Sequence, residues 1–343
     1  MACISRRAAL AGATSLAAML LTACQEAPGP GPSADIAGSS IRSGGGPELI
    51  TASSPGLFPE GAAWDPHRRG FLIGSTTRGN VSVVGLDGSV SELVPSLGAV
   101  STLGIEVDPI RNRIYIAYSD YELRKVFPTD QPPVSGVAVV DLITGGVERK
   151  IDTALGRADT FANDLAVDTV TGSVYLIDCV YDTVQVIDPA GSVRPLVSDP
   201  RFRSPSVGLN GIVWHPDGYL VTGRYDTGAL FRISLQGAAQ VTEVATETTL
   251  RGIEGFTLRP DGTLLMAQNR LGVTAGVDAV TGLRSEDDWR TARVVDRTDP
   301  WPVSAPTSVA FGPFGAYALS GQVDLAMAGR MDATAIWLRH VPF

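Results

Sequence analysis

Histidine and cysteine are scarce in this chain, with three of each in 343 residues, and the scarcity removes whole classes of chemistry. His67, His215 and His340 stand in unrelated contexts with no cysteine close by. Zinc favours nitrogen and sulfur ligands, so a zinc centre is disfavoured. Cys3 and Cys24 fall at the N-terminus, which leaves Cys179 alone in the body of the chain. If Cys24 is modified as argued below, no disulfide can form within the mature chain. Cys179 sits in the apolar run Val174 to Val180 and is expected to be a buried, unreactive thiol. Basic residues are also few, 27 against 36 acidic ones, for a net charge of −9. That balance argues against nucleic acid and anionic lipid surfaces as partners. Beyond the leader, helical apolar periodicity never persists for more than a couple of turns, so the expected fold is all-β.

The N-terminus reads as an export signal over residues 1–23. Arg6 and Arg7 give the charged start and Ala8 to Leu21 the apolar stretch, which is too short to span a membrane. Leu21-Thr22-Ala23-Cys24 closes it and resembles a bacterial lipobox, in which Cys24 receives lipid and becomes the new N-terminus. Ser5-Arg6-Arg7 also resembles a twin-arginine signal, and both export routes fit. Residues 24–47 are Pro, Gly, Ser and Ala with almost no large apolar side chain, the composition of a disordered tether. The expectation is a lipid-anchored protein of the bacterial cell envelope whose membrane contact is the lipid. Its domain, residues 48–343, is expected to act as a monomer.

That domain repeats one pattern: a short apolar strand, a polar turn often holding Asp-Pro or Pro-Asp-Gly, and a second strand rich in aromatic and β-branched residues. The copies are PEGAAWDPHRRGFLIGS from Pro59, TLGIEVDPIRNRIYIAY from Thr102, ANDLAVDTVTGSVYLID from Ala162, LNGIVWHPDGYLVTG from Leu209, IEGFTLRPDGTLLMA from Ile253 and PTSVAFGPFGAYALS from Pro306. Their second residues are separated by 43, 60, 47, 44 and 53 positions, close to a propeller blade period once loop insertions are allowed. Further strand pairs lie between the copies, so each unit supplies about four strands. The spacing predicts a six-bladed β-propeller of four-stranded antiparallel blades. The last unit shows three good strands, and Glu48 to Ala52 is expected to close the ring as its fourth.

In such a ring one repeat position taken from every blade converges in space. The second residues are Glu60, Leu103, Asn163, Asn210, Glu254 and Thr307. Four of them carry oxygen ligands. The chain has only five asparagines, Asn80, Asn112, Asn163, Asn210 and Asn269, and two fall at this register. Two carboxylates with two amide oxygens suit a hard divalent cation, calcium before magnesium because calcium accepts a looser cage of six to eight oxygens.

The segments FPEGAAWD, FANDLAVD, GLNGIVW and IEGFTLRPDG resemble the senescence-marker-protein/gluconolactonase (regucalcin-like) family of six-bladed propellers over essentially all of Glu48 to Phe343. Regucalcin, the paraoxonases and diisopropyl fluorophosphatase are related propellers. The resemblance implies a calcium or other divalent ion held by an early Glu, an Asn from an Asn-Asp pair, an Asn from an Asn-Gly pair, and an Asp. Glu60, Asn163 and Asn210 match in identity and order. Glu254 stands where the family has Asp, and Phe161 stands where sugar-lactone members have Arg. The paired channel histidines of paraoxonase-like lactonases are missing.

Calcium polarises ester, lactone or phosphoester oxygens and positions water, so the expected activity is metal-dependent hydrolysis of a lactone or related ester. Glu254 and Asp164 are the candidate proton acceptors. The alternative is a non-catalytic, surface-anchored metal-binding propeller that binds a small molecule or protein. Pocket walls are expected from loops at the ligand end, with Ser119 to Ser135 and Gln268 to Trp289 as lids or surface decoration and Phe161 and Trp301 at the rim.

Overall fold

In a computed structural model of the chain, the described residues are 45–301 and 305–343. The expected signal peptide, Cys24 and the tether as far as residue 44 lie outside them.

The repeat folds as its alternation demands, with both faces of each sheet apolar and the turns polar. The first sheet is β2 (Ala62–Asp65), β3 (Gly70–Ile73), β4 (Val81–Val84) and β5 (Val90–Val94), and the second is β6 (Ser101–Asp108), β7 (Arg113–Ser119), β8 (Ser135–Asp141) and β9 (Val147–Asp152). The third is β10 (Ala162–Val167), β11 (Val174–Asp178), β12 (Thr183–Ile187) and β13 (Val193–Ser198). Next come β14 (Leu209–His215), β15 (Tyr219–Arg224), β16 (Leu230–Ser234) and β17 (Gln240–Thr246). They are followed by β18 (Ile253–Leu258), β19 (Leu264–Gln268), β20 (Ala279–Arg284) and β21 (Thr291–Arg297). Outer strands β17 and β21 also touch in parallel over two residue pairs, which joins these two sets into one sheet of eight. The final set is β22 (Ser308–Gly312), β23 (Gly315–Ser320) and β24 (Ala335–His340), and β1 (Leu49–Ser53) pairs antiparallel with β24 as its outer strand. Two short helices, α1 (Tyr121–Val126) and α2 (Val323–Met327), occupy returns from a second to a third strand.

Pro-Asp-Gly turns close two of the hairpins, with Gly218 and Gly262 at φ +84° and +81°, where a side chain would be strained. β20 corrects one expectation. The segment Gln268 to Trp289 is not a free insertion, because Ala279–Arg284 is the third strand of its sheet. A glycine in mid-strand, Gly282, weakened its β signal.

Sheets pack face to face, and each junction has its own core. Leu72 and Ile105 meet Ile116 and Ala138 between the first and second sheets, and Leu165 and Leu176 meet Tyr115 and Val137 at the next. Ile177, Leu209 and Phe231 fill the third junction, and Leu230, Phe256 and Met266 the fourth. Leu265, Val280 and Val309 fill the fifth, while Phe71, Ile73, Leu319 and Leu338 join the last sheet to the first. Each such Leu, Ile, Val, Phe or Met side chain contributes about 1.5–3 kcal/mol on burial. The first strands touch in a closed circuit, β2 to β6, β10, β14, β18, β22 and back to β2. Gly61 and Gly104 permit that approach. A Cβ on Gly61 would overlap the carbonyl of Leu103, and one on Gly104 would lie 2.5 Å from Asp164 Oδ1.

At the far ends of the inner strands the turns are clasped. Asp65, fully buried, accepts from the N–H groups of His67 and Arg68 and pairs with the Arg68 guanidinium at 2.7 Å. That guanidinium also donates to the carbonyls of Leu142 and Ile143 in the next sheet. Asp108 and Arg111 repeat the device, reaching Thr169 and Val170.

Candidate functional site

The predicted ligand positions lie together at the opposite end of the inner strands. Asn163, Asn210 and Glu254 are each the second residue of β10, β14 and β18, and Glu60 precedes β2. In all three strands the pairing slips at this residue or directly after it. A bulge re-aims the side chain it carries, which is how a strand of alternating in-and-out residues presents a ligand at its head.

Hydrogen bonds fix the orientation of three of the four. Asn210 Nδ2 donates to Glu254 Oε2 at 2.7 Å, and Asn269 Nδ2 donates to Glu254 Oε1 at 2.7 Å. Asn163 Nδ2 donates to Cys179 Sγ at 3.1 Å, and the thiol donates to the carbonyl of Leu209 at 2.9 Å. The amide oxygen of Asn163 is buried and has no hydrogen-bond partner. An orphaned buried acceptor costs about 1–3 kcal/mol unless something binds it.

The electrostatics carry the same imbalance. Burial pushes Glu254 up to about 8 despite its two amide donors, with Asp164 adding to the rise. Burial, then Glu254 and Asp164, hold Glu60 well above the usual carboxylate range. Asp164 rises to about 7 through burial, opposed by the backbone N–H groups of Leu165 and Ile212 that it accepts. The site therefore gathers carboxylates without a counter-charge among the described residues.

Among the described residues no three His, Cys, Asp or Glu side chains cluster as a metal site by themselves, so a cation here needs the amides as well. With them the set fits a hard divalent ion. Asn163 offers an unpartnered oxygen, Asn210 turns its Nδ2 to Glu254 and leaves Oδ1 for another partner, and Glu60 and Glu254 supply two negative charges.

A cavity of about 290 Å³ runs from Glu60, Asn210 and Thr307 along the inner strands to Pro66 and Pro109 in the clasped turns. Its walls are mainly inner-strand residues, whereas Asp120, Tyr121, Arg124 and Pro133 of the Ser119 to Ser135 insertion line a separate hollow with Thr160. Neither Ser119 to Ser135 nor Gln268 to Trp289 lines it. Phe161 is buried against Leu103 and Cys179 and stacks on Tyr121 at 5.0 Å, beside the ligand end. Trp301, expected at the rim, packs with Leu265, Val280 and Val309 in the core.

Four residues with roles at the site escaped the sequence reading. Asn269, fully buried, holds Glu254 and accepts from the Tyr225 hydroxyl at 2.8 Å and Leu271 N at 3.1 Å. Cys179 orients Asn163. Cys179, Tyr225 and Asn269 each directly follow the second strand of their sheet, so a second repeat register carried the signal. Glu106, the fourth, lines the cavity and is pushed up to about 8 by burial and by Asp164.

No family model matches the chain, and no curated protein matches it. Solved structures do. The allergen Mala s 1 of Malassezia sympodialis is similar at a TM-score of 0.70 and 17% identity, over 85% of this chain and 95% of that one. A gluconolactonase of Xanthomonas campestris is similar at 0.59 and 16%, over 86% and 89%. A luciferin-regenerating enzyme is similar at 0.57 and 12%, over 86% and 96%. The chain shares the fold of the gluconolactonase-like propellers. At these identities the likeness establishes the fold alone.

Proposed function

We propose that the chain is a six-bladed propeller, closed by β1 on β24, that holds calcium at the ligand end and hydrolyses a lactone or related ester. One observation carries this reading: buried carboxylates and an orphaned amide oxygen converge on one end of the inner strands with no counter-charge beside them among the described residues. Glu60, Asn163, Asn210 and Glu254 would hold the ion. When bound, calcium supplies Lewis-acid polarisation of the substrate carbonyl.

The remaining work falls to the chain's own groups. Both oxygens of Glu254 accept amide hydrogens, which suits it to ligation more than to proton transfer. Asp164 lines the cavity and stands at about 7, the range in which a base works at neutral pH. It is the better candidate to accept the proton of an attacking water. The same commitment of Glu254 favours one alternative, a non-catalytic metal-binding propeller, if Asp164 serves only to tie β10 to β14 through Ile212 N. The domain is taken as residues 48–343, exported and anchored through lipid on Cys24 in the bacterial cell envelope, and supported there by sequence alone.

The test is a panel of lactones, aryl esters and phosphotriesters assayed with and without chelator. Hydrolysis that vanishes with chelator and in Glu60→Gln and Asn210→Ala is expected. Calorimetry showing no divalent binding, or activity indifferent to both variants, overturns the proposal. Calcium binding with Asp164→Asn as active as the parent would remove Asp164 from the mechanism.

A further inference from the structure

The cavity below the ligand end carries a charge pattern that the metal does not account for. Three residues beyond the ligand position, the six repeats read Ala63, Glu106, Ala166, Val213, Thr257 and Ala310. A carboxylate appears once, in the repeat whose own ligand position is Leu103. At about 3.3 Å per residue, Glu106 stands up to roughly 10 Å further along its strand than the ligand register, in the same cavity as Asp164. It has no salt-bridge partner among the described residues. The cavity that Glu106 faces is walled by Trp64, Phe256 and Phe311, and no lysine, arginine or histidine among the described residues lines it.

Aromatic walls around an acid with no resident counter-ion match one class of ligand, whose charge would hold that acid in its ionised form. An organic ammonium group is attracted to ring faces and to a carboxylate, and its apolar body fills the space between. We propose that this cavity takes a small organic cation, a protonated or quaternary amine with an apolar group, and that Glu106 is its counter-ion. As a statement about substrate, an ester or lactone bearing an ammonium group, this rests on the hydrolase reading. As a binding site it does not. The same charge pattern disfavours sugar acids and other anions.

The experiment measures binding by calorimetry to the calcium-loaded domain, using benzylammonium, benzyl alcohol and benzoate as probes of one shape and three charges. Benzylammonium alone is expected to bind with useful affinity. Glu106→Gln is expected to weaken it by about tenfold or more, since the amide oxygen still accepts but the carboxylate's negative charge is lost. Thr257→Lys, which places a resident ammonium in the cavity, is expected to abolish binding, and thermal melts of both variants check that they fold. Equal binding of the alcohol or benzoate overturns the proposal, as does unchanged benzylammonium binding in folded Glu106→Gln. So does a calcium titration of two ions in the parent and one in Glu106→Gln, which would make the cavity a second metal site. Benzylammonium binding without hydrolysis of any ester leaves this inference standing and ends the hydrolase reading. Hydrolysis of uncharged esters without benzylammonium binding does the reverse.

Discussion

The two ends of the inner strands treat the same chemical group in opposite ways. At the turn end Asp65 and Asp108 are fully buried, yet each accepts two backbone N–H groups and pairs with an arginine that also stitches the next sheet. At the ligand end Glu60, Asp164 and Glu254 are gathered with no basic side chain beside them among the described residues, and Asn163 Oδ1 has no hydrogen-bond partner there. A buried acid that is paired and fully hydrogen-bonded is architecture, whereas buried acids left without a counter-charge must keep their protons or take up a cation. Burial alone does not distinguish them. Partners do.

The contrast breaks most visibly in two variants that should behave as opposites. Glu254→Ala removes one of the two proposed ligand carboxylates, so calcium binding measured by calorimetry is expected to fall by at least about a hundredfold, while the metal-free melting temperature changes little because relief of a buried acid without a counter-charge offsets the two amide hydrogen bonds that it accepts. Asp65→Ala should do the reverse. It leaves Arg68 without its carboxylate and two turn N–H groups unbonded, a cost of about 2–4 kcal/mol by urea unfolding, with calcium affinity unchanged. If Asp65→Ala weakened calcium binding, or Glu254→Ala left it intact, the division between the ends would fail. Asn269→Ala tests the site's support more finely. The loss of its hydrogen bond to Glu254 Oε1 should weaken calcium about ten- to a hundredfold, the range for residues that orient metal ligands.

The repeat and the convergence of Glu60, Asn163, Asn210 and Glu254 were legible because a repeated strand places equivalent residues side by side, and these four break an otherwise apolar pattern. The β1 pairing was legible for the same reason, since the last unit lacked a strand. Glu106 was equally visible as a lone acid in its column, but only to a comparison made three residues further along. Cys179 and Asn269 were harder. A cysteine in an apolar run reads as packing, and its bond to Asn163 exists only after β10 and β11 pair. Trp301 shows the limit from the other side: an aromatic residue in a loop reads as a rim, and whether it turns outward or into the core between two sheets is decided by packing that a linear pattern does not contain.

The smallest expected effect is on pH, and its sign follows from the protons. Glu106, at about 8 in the fold against an ordinary value near 4.5, holds its proton over a range in which the unfolded chain has released it. Stability rises with pH only where the unfolded state binds more protons, so here the slope is negative. The metal-free domain should be most stable near pH 4.5 and lose stability steadily as pH rises through 8. A tenfold change in proton affinity is worth about 1.4 kcal/mol, and the carboxylate's partial exposure to the cavity reduces the total to on the order of 1–3 kcal/mol. Urea unfolding of the metal-free parent and of Glu106→Gln at pH 5 and pH 8.5 measures it. The parent should lose more than the variant over that interval. A parent that gains stability with pH, or a Glu106→Gln slope equal to the parent's, would mean that the cavity carboxylate is compensated after all and that the two ends differ less than their partners imply.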